Sequence, residues 1–62
     1  MLYTRIKSLC EERKLSIRKL ENECDLSTGC IAKWKKVQPS AMALYRVAKR
    51  LGVSVEDLLE GL

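Results

Sequence analysis

The sequence contains no histidine, only one proline and three glycines, and no apolar run longer than a few residues. Without histidine, a zinc site would have to be assembled from three thiolates and a carboxylate, and scattered Lys, Glu and Cys residues offer no oriented pair of nucleophile and base. Neither an enzyme nor a metal or cofactor site is therefore expected. The short apolar runs provide neither a membrane span nor the hydrophobic stretch of a secretory signal, so the chain reads as soluble and intracellular. Three cysteines, Cys10, Cys24 and Cys30, cannot all pair within one chain, and none stands in a Cys-x-x-Cys spacing. They read as small hydrophobes in a reducing compartment.

What is present is enough for one small domain. Sixty-two residues, 47% hydrophobic and 32% charged, fall outside the disordered and low-complexity classes. A chain this short buries only about 60% of the surface its unfolded form exposes, so few core positions are dispensable. Charge is unevenly spread. Residues 1–54 carry twelve Lys and Arg against five Asp and Glu, whereas residues 55–62 carry Glu56, Asp57 and Glu60 and no cation. A basic body with an acidic tail suits a polyanionic partner, although Lys and Arg also solvate ordinary helical faces.

Helical spacing runs through the chain, and no segment alternates with a period of two. Leu2, Ile6, Leu9 and Arg13 recur at i+3 and i+4, which predicts a first helix over about residues 2–14. A repeated start code follows. Ser16, Ser27, Ser40 and Ser54 each precede an apolar-periodic segment, with Leu20, Ile31, Leu44 and Leu58 four positions on. Serine at an N-cap accepts a hydrogen bond from a free amide of the first turn. Leu15, Leu26 and Val53 stand just before three of these serines at hydrophobic-staple spacing from Leu20, Ile31 and Leu58, and Ser54 with Asp57 forms a capping box. The caps predict further helices over about residues 17–24, 28–36, 41–51 and 55–60. Pro39 closes the third and Gly52 the fourth.

The caps at Ser16 and Ser27 are so close that a two-turn helix, a tight turn at Cys24, Asp25 and Leu26, and a second helix must follow at once. Such a corner is a helix-turn-helix unit. The expected core comprises Leu2, Ile6, Leu9, Ile17, Leu20, Cys24, Leu26, Ile31, Trp34, Leu44, Val47, Ala48, Leu51, Val53, Leu58 and Leu59.

With Ile31 and Trp34 inside, the third helix would expose Thr28, Gly29 and Ala32 at its start, Lys33 further along and Cys30 near the edge. Short side chains there permit close approach to the floor of a DNA major groove. Thr28 can bond to a base edge or meet a thymine methyl, and Lys33 can donate to guanine O6 and N7. Phosphates would be held by the amides near Ser16 and Ile17 with help from Arg18, and by a rim of Lys35, Lys36, Gln38 and Ser40. The lysines also read simply as a favourable cationic helix end.

The stretches Leu15-Ser16-Ile17-Arg18-Lys19-Leu20-Glu21 and Leu26-Ser27-Thr28-Gly29-Cys30-Ile31-Ala32-Lys33-Trp34 resemble the Cro/C1-type, or XRE-like, helix-turn-helix regulators, as in small repressors of Gram-positive bacteria and their phages. The likeness continues through Pro39-Ser40, Leu44, Val47-Ala48, Leu51-Gly52-Val53-Ser54-Val55 and Leu58-Leu59, and so covers nearly the whole chain. It implies a compact all-α, five-helix, lambda-repressor-like domain over residues 1–62, with the motif at about residues 16–36. It also implies homodimers on inverted repeats of double-stranded DNA, in the cytoplasm of a bacterial or phage-infected cell, without a small-molecule ligand. By position Ser27 would begin the recognition helix, Thr28 and Gly29 would face bases with Lys33 one turn on, and Ser16 and Ile17 would approach the backbone. Three residues depart from the family pattern. Glu21 replaces a frequent alanine and would have to reach solvent past its neighbour, Asp25 replaces a turn glycine, and Cys30 replaces a threonine. A protein-interaction module such as an antitoxin or adaptor is the other reading, with Leu59 and Leu62 available for a partner or a second copy.

Overall fold

The computed structural model describes residues 2–59. Four α-helices, α1 (Leu2–Glu12), α2 (Ile17–Glu23), α3 (Ala41–Leu51) and α4 (Val55–Leu59), are joined with a 3₁₀ helix at Ile31–Lys35, which lies between α2 and α3. The Cα radius of gyration is 10.2 Å, against about 10.5 Å for a compact domain of this length. The architecture is compact and all-α, with a helix-turn-helix-like arrangement of α2 and the segment that follows it.

Three of the four serine caps form as their spacing requires. Ser16 Oγ accepts from the Lys19 amide at 3.0 Å, Ser40 Oγ from that of Ala43 at 3.2 Å, and Ser54 Oγ from that of Asp57 at 3.0 Å. The Ser54 amide in turn donates to Asp57 Oδ2 at 3.2 Å, which completes the capping box.

The helix ends share one device. The amides of Leu15, Leu26 and Val53 reach back to the carbonyls of Cys10, Glu21 and Ala48 at 2.9, 2.8 and 3.0 Å, and those of Lys14, Asp25 and Gly52 bond to Glu11, Asn22 and Lys49. This double bond pattern is the Schellman motif, and it requires a left-handed residue at the penultimate position. Lys14, Asp25 and Gly52 occupy it with φ of 53°, 62° and 75°. Asp25 thus turns the chain where the family uses glycine. Leu15, Leu26 and Val53 therefore end one Schellman motif and directly precede the next segment. This double use explains how three reversals fit into so few residues.

The core holds Leu2, Ile6, Leu9, Cys10, Leu15, Leu20, Cys24, Ile31, Trp34, Ala43, Val47, Ala48, Leu51 and Leu58. Ile17, Leu26, Leu44 and Val53, expected inside, are half-buried against it. Leu59 is exposed, because on the five-residue α4 it lies about 100° around from the inward Leu58. Arg5 Nε bonds to the Asp57 carbonyl and fastens α4 to α1.

The third helix differs most from its expected form. No α-helix spans residues 28–36. Residues 28–30 form turns and the 3₁₀ helix begins only at Ile31. Ser27 contributes its carbonyl, which accepts the Cys30 amide at 3.0 Å, and makes no side-chain cap. Gly29 at φ +84° departs from helical geometry, so an α-helix cannot propagate through it. The other differences are of one or two residues: α1 stops at Glu12 rather than residue 14 and α2 at Glu23 rather than 24. Glu60, in the expected last helix, and Leu62 lie outside the described residues.

Candidate nucleic-acid interface

The segment expected to read DNA is held by a residue expected to point away from it. Glu21 is 2% exposed. Its Oε1 accepts the Gly29 amide at 3.1 Å and its Oε2 the Ile31 amide at 2.9 Å. Glu21 does not run to solvent, as a carboxylate on a helix-helix contact would have to if it had no donor of its own. The two amides supply the donors that make burial of the charge tolerable. Local spacing carries no signal for this: like Ser27, Ser16 and Ser40 have no acidic residue in the turn that follows them, and Glu21 stands eight residues before Gly29 and ten before Ile31.

Thr28, Ala32 and Lys33 are exposed, while Gly29 and Cys30 are half-buried. A 3₁₀ helix repeats every three residues, so Ile31 and Trp34 eclipse each other on the inner row. By the same period Lys33 lies on a second row, and Lys36 follows as the C-cap just beyond the helix, with φ -121°. Lys35 falls on a third row. Its ammonium sits 4.5 Å from the centroid of the Tyr3 ring on α1, and the residue stays exposed.

Ser16, Arg18, Ser27, Gln38 and Ser40 are all exposed, and Ile17 is half-buried at the start of α2. Two of these side chains already have work in the fold, since the hydroxyls of Ser16 and Ser40 cap α2 and α3. Arg46, Lys49 and Arg50 add cations on α3. Arg50 Nε is paired with Glu23 Oε1, and Lys49 lies 5.9 Å from the Tyr45 ring centroid. The Arg50 guanidinium hydrogen-bonded to Glu23 holds that carboxyl below its ordinary range, and the same contact raises Arg50.

Burial pushes the thiols of Cys10 and Cys24 up. Cys24 Sγ donates to the Arg46 carbonyl at 3.6 Å, and all three cysteines are free. Among the described residues no group of three or more Cys, Asp and Glu is placed to hold a metal ion. No helix among them is long and apolar enough to cross a membrane.

A short helix and a pinned, cation-edged 3₁₀ segment, set at a tight corner on an all-α frame, define a helix-turn-helix protein. The chain belongs to the Cro/C1-type HTH DNA-binding domain family, whose model matches residues 5–60. Comparison with the curated proteins returns no match.

Proposed function

We propose that the chain is a sequence-specific binder of double-stranded DNA that represses transcription by occupying an operator. Residues 1–62 act as one lambda-repressor-like domain in the cytoplasm, with the second and third of five helical elements as the motif. Thr28, Gly29, Ala32, Lys33 and Cys30 face the major groove. Ser16, Ile17, Arg18, Ser27, Lys35, Lys36, Gln38 and Ser40 hold the backbone. Two copies bind an inverted repeat, because one such segment offers few base contacts and two-fold pairing matches a palindromic site.

The observation that carries this reading is the Thr28–Lys33 face itself. Small residues and one lysine are exposed on a segment whose inner row, Ile31 and Trp34, is buried. Nothing bulky stands between that face and a groove floor.

A second reading, a module that binds a protein partner, is favoured by one observation. Leu2, Trp34, Val37, Pro39, Leu44 and Leu59 line a surface groove, and Val37 and Leu59 are 56% and 43% exposed.

Selection of bound duplexes from a random DNA library, followed by salt titration of the winners, separates the two. An enriched inverted repeat bound far more tightly than random duplex supports the operator reading. Binding without enrichment, governed only by salt, contradicts it and leaves the partner reading in front.

A further inference from the structure

We infer that Glu21 is a positioning residue for base readout, an internal anion that closes the amides opening the reading segment and leaves recognition to its side chains. The inference rests on the DNA-binding reading above. It is carried by three bonds that converge from one residue on the whole corner. The Glu21 carbonyl accepts the Leu26 amide at 2.8 Å, and the two carboxylate oxygens take the amides of Gly29 and Ile31. The Cys30 amide between them is taken by the Ser27 carbonyl. Three successive amides, from Gly29 to Ile31, are thereby engaged inside the protein.

Free amides at such a place attract phosphate, and a carboxylate already seated there repels it. A DNA backbone is thus turned away from Gly29–Ile31 and drawn to the rim cations Lys35 and Lys36. That separation sets which part of the segment lies over bases. Gly29 belongs to the same device, since φ +84° directs its amide back toward α2, and a Cβ there would meet no neighbour within 4 Å. Glycine is needed for the backbone angle and not for space. Glu21 and Gly29 form one unit in which a buried acid and a left-handed glycine replace the serine cap.

The test compares the intact chain with Glu21→Gln and Glu21→Ala. Amide hydrogen exchange is followed at Gly29 and Ile31, and affinities for a library-selected duplex and for its scrambled counterpart are measured at one salt concentration. Gly52→Ala serves as a control that loses stability at a distance from the segment.

Glu21→Gln keeps one carbonyl acceptor, so it is expected to fold, and to lose exchange protection at one or both of Gly29 and Ile31 while protection at Leu20 and Val47 holds. The ratio of selected to scrambled affinity should fall tenfold or more in Glu21→Gln and further in Glu21→Ala, with scrambled affinity unchanged or raised. Gly52→Ala should leave the ratio in place. Unchanged protection at Gly29 and Ile31, or a ratio that falls no further than in Gly52→Ala, overturns the inference. A wild-type chain with no duplex preference overturns the DNA reading instead, and the two failures are told apart because the exchange contrast is measured without DNA.

Discussion

Arg13 Nε donates to the Leu51 carbonyl at 2.8 Å, and its Nη1 donates to the Leu9 carbonyl at 3.1 Å, so one guanidinium joins the C-terminal ends of α1 and α3. Both carbonyls belong to last turns, where no intrahelical donor remains. Arg13 completes the stripe begun by Leu2, Ile6 and Leu9, but as a clasp over the core rather than part of it. Arg13→Ala is expected to cost about 1.5 to 3 kcal/mol, the range for hydrogen bonds from a charged donor, with partial exposure favouring the lower end. Arg13→Lys should recover less than half, because an ammonium lacks the planar fork that spans two acceptors. Urea unfolding reads this directly, and equal midpoints for wild type and Arg13→Ala would show that the clasp contributes nothing.

The three Schellman ends predict opposite responses to glycine. Lys14 holds φ 53° with a side chain that disfavours it, so Lys14→Gly should stabilise the chain by up to about 1 kcal/mol. Gly52→Ala, at φ 75°, should destabilise it by about 1 kcal/mol or more. Thermal unfolding of the two variants checks the pair. A loss of stability in Lys14→Gly would mean that unfolded-chain entropy outweighs the relief of backbone strain.

Thiol accessibility separates the cysteines. Cys10 and Cys24 are buried with thiols pushed up by desolvation, so they stay protonated and slow to react. Cys30 is half-buried beside Thr28. An aromatic disulfide reagent should therefore modify Cys30 first in the folded chain, and the other two only at the rate of unfolding. Bound duplex should slow labelling of Cys30. Simultaneous modification of all three would contradict this arrangement of the core.

The Glu23 and Arg50 pair predicts a pH dependence with a definite sign. The folded pKa of Glu23 lies below its unfolded value, so the unfolded chain binds the proton more readily. The contribution is complete above the ordinary carboxylate range and is lost as pH falls through the lowered folded value. Urea midpoints of wild type and Glu23→Gln, measured from neutral to acid pH, should differ at neutral pH and converge in acid. Because both side chains are partly exposed, the difference should shrink with added salt. A gap that widens in acid would contradict the assignment.

Much of the frame was legible because its signals are local. The caps at Ser16, Ser40 and Ser54 and the glycine stop at Gly52 each depend on a few neighbouring residues, and with the apolar spacing they define α1 to α4. Ser27 carried the same signal and misled, since the partners of its amides lie across the corner in Glu21. A contact between residues eight and ten apart leaves no periodicity. The same limit explains Lys35, whose place over Tyr3 depends on how α1 meets the 3₁₀ segment, whereas Cys10 and Ala43 are buried four residues from Ile6 and Val47, at a helical spacing that the expected core left out. Exposure of Thr28, Ala32 and Lys33 was legible, whereas the 3₁₀ form of Ile31–Lys35 was not.

Whether the Thr28–Lys33 face reads sequence is tested most directly by one ratio, the affinity for a selected duplex over that for its scrambled counterpart, in wild type and Lys33→Ala at fixed salt. A lysine bonded to guanine is worth about 1 to 3 kcal/mol of discrimination, so the ratio should fall by about fivefold or more while scrambled affinity changes little. An equal loss on both duplexes, with the ratio unmoved, would make Lys33 a phosphate contact only and contradict the assignment of this face to base recognition.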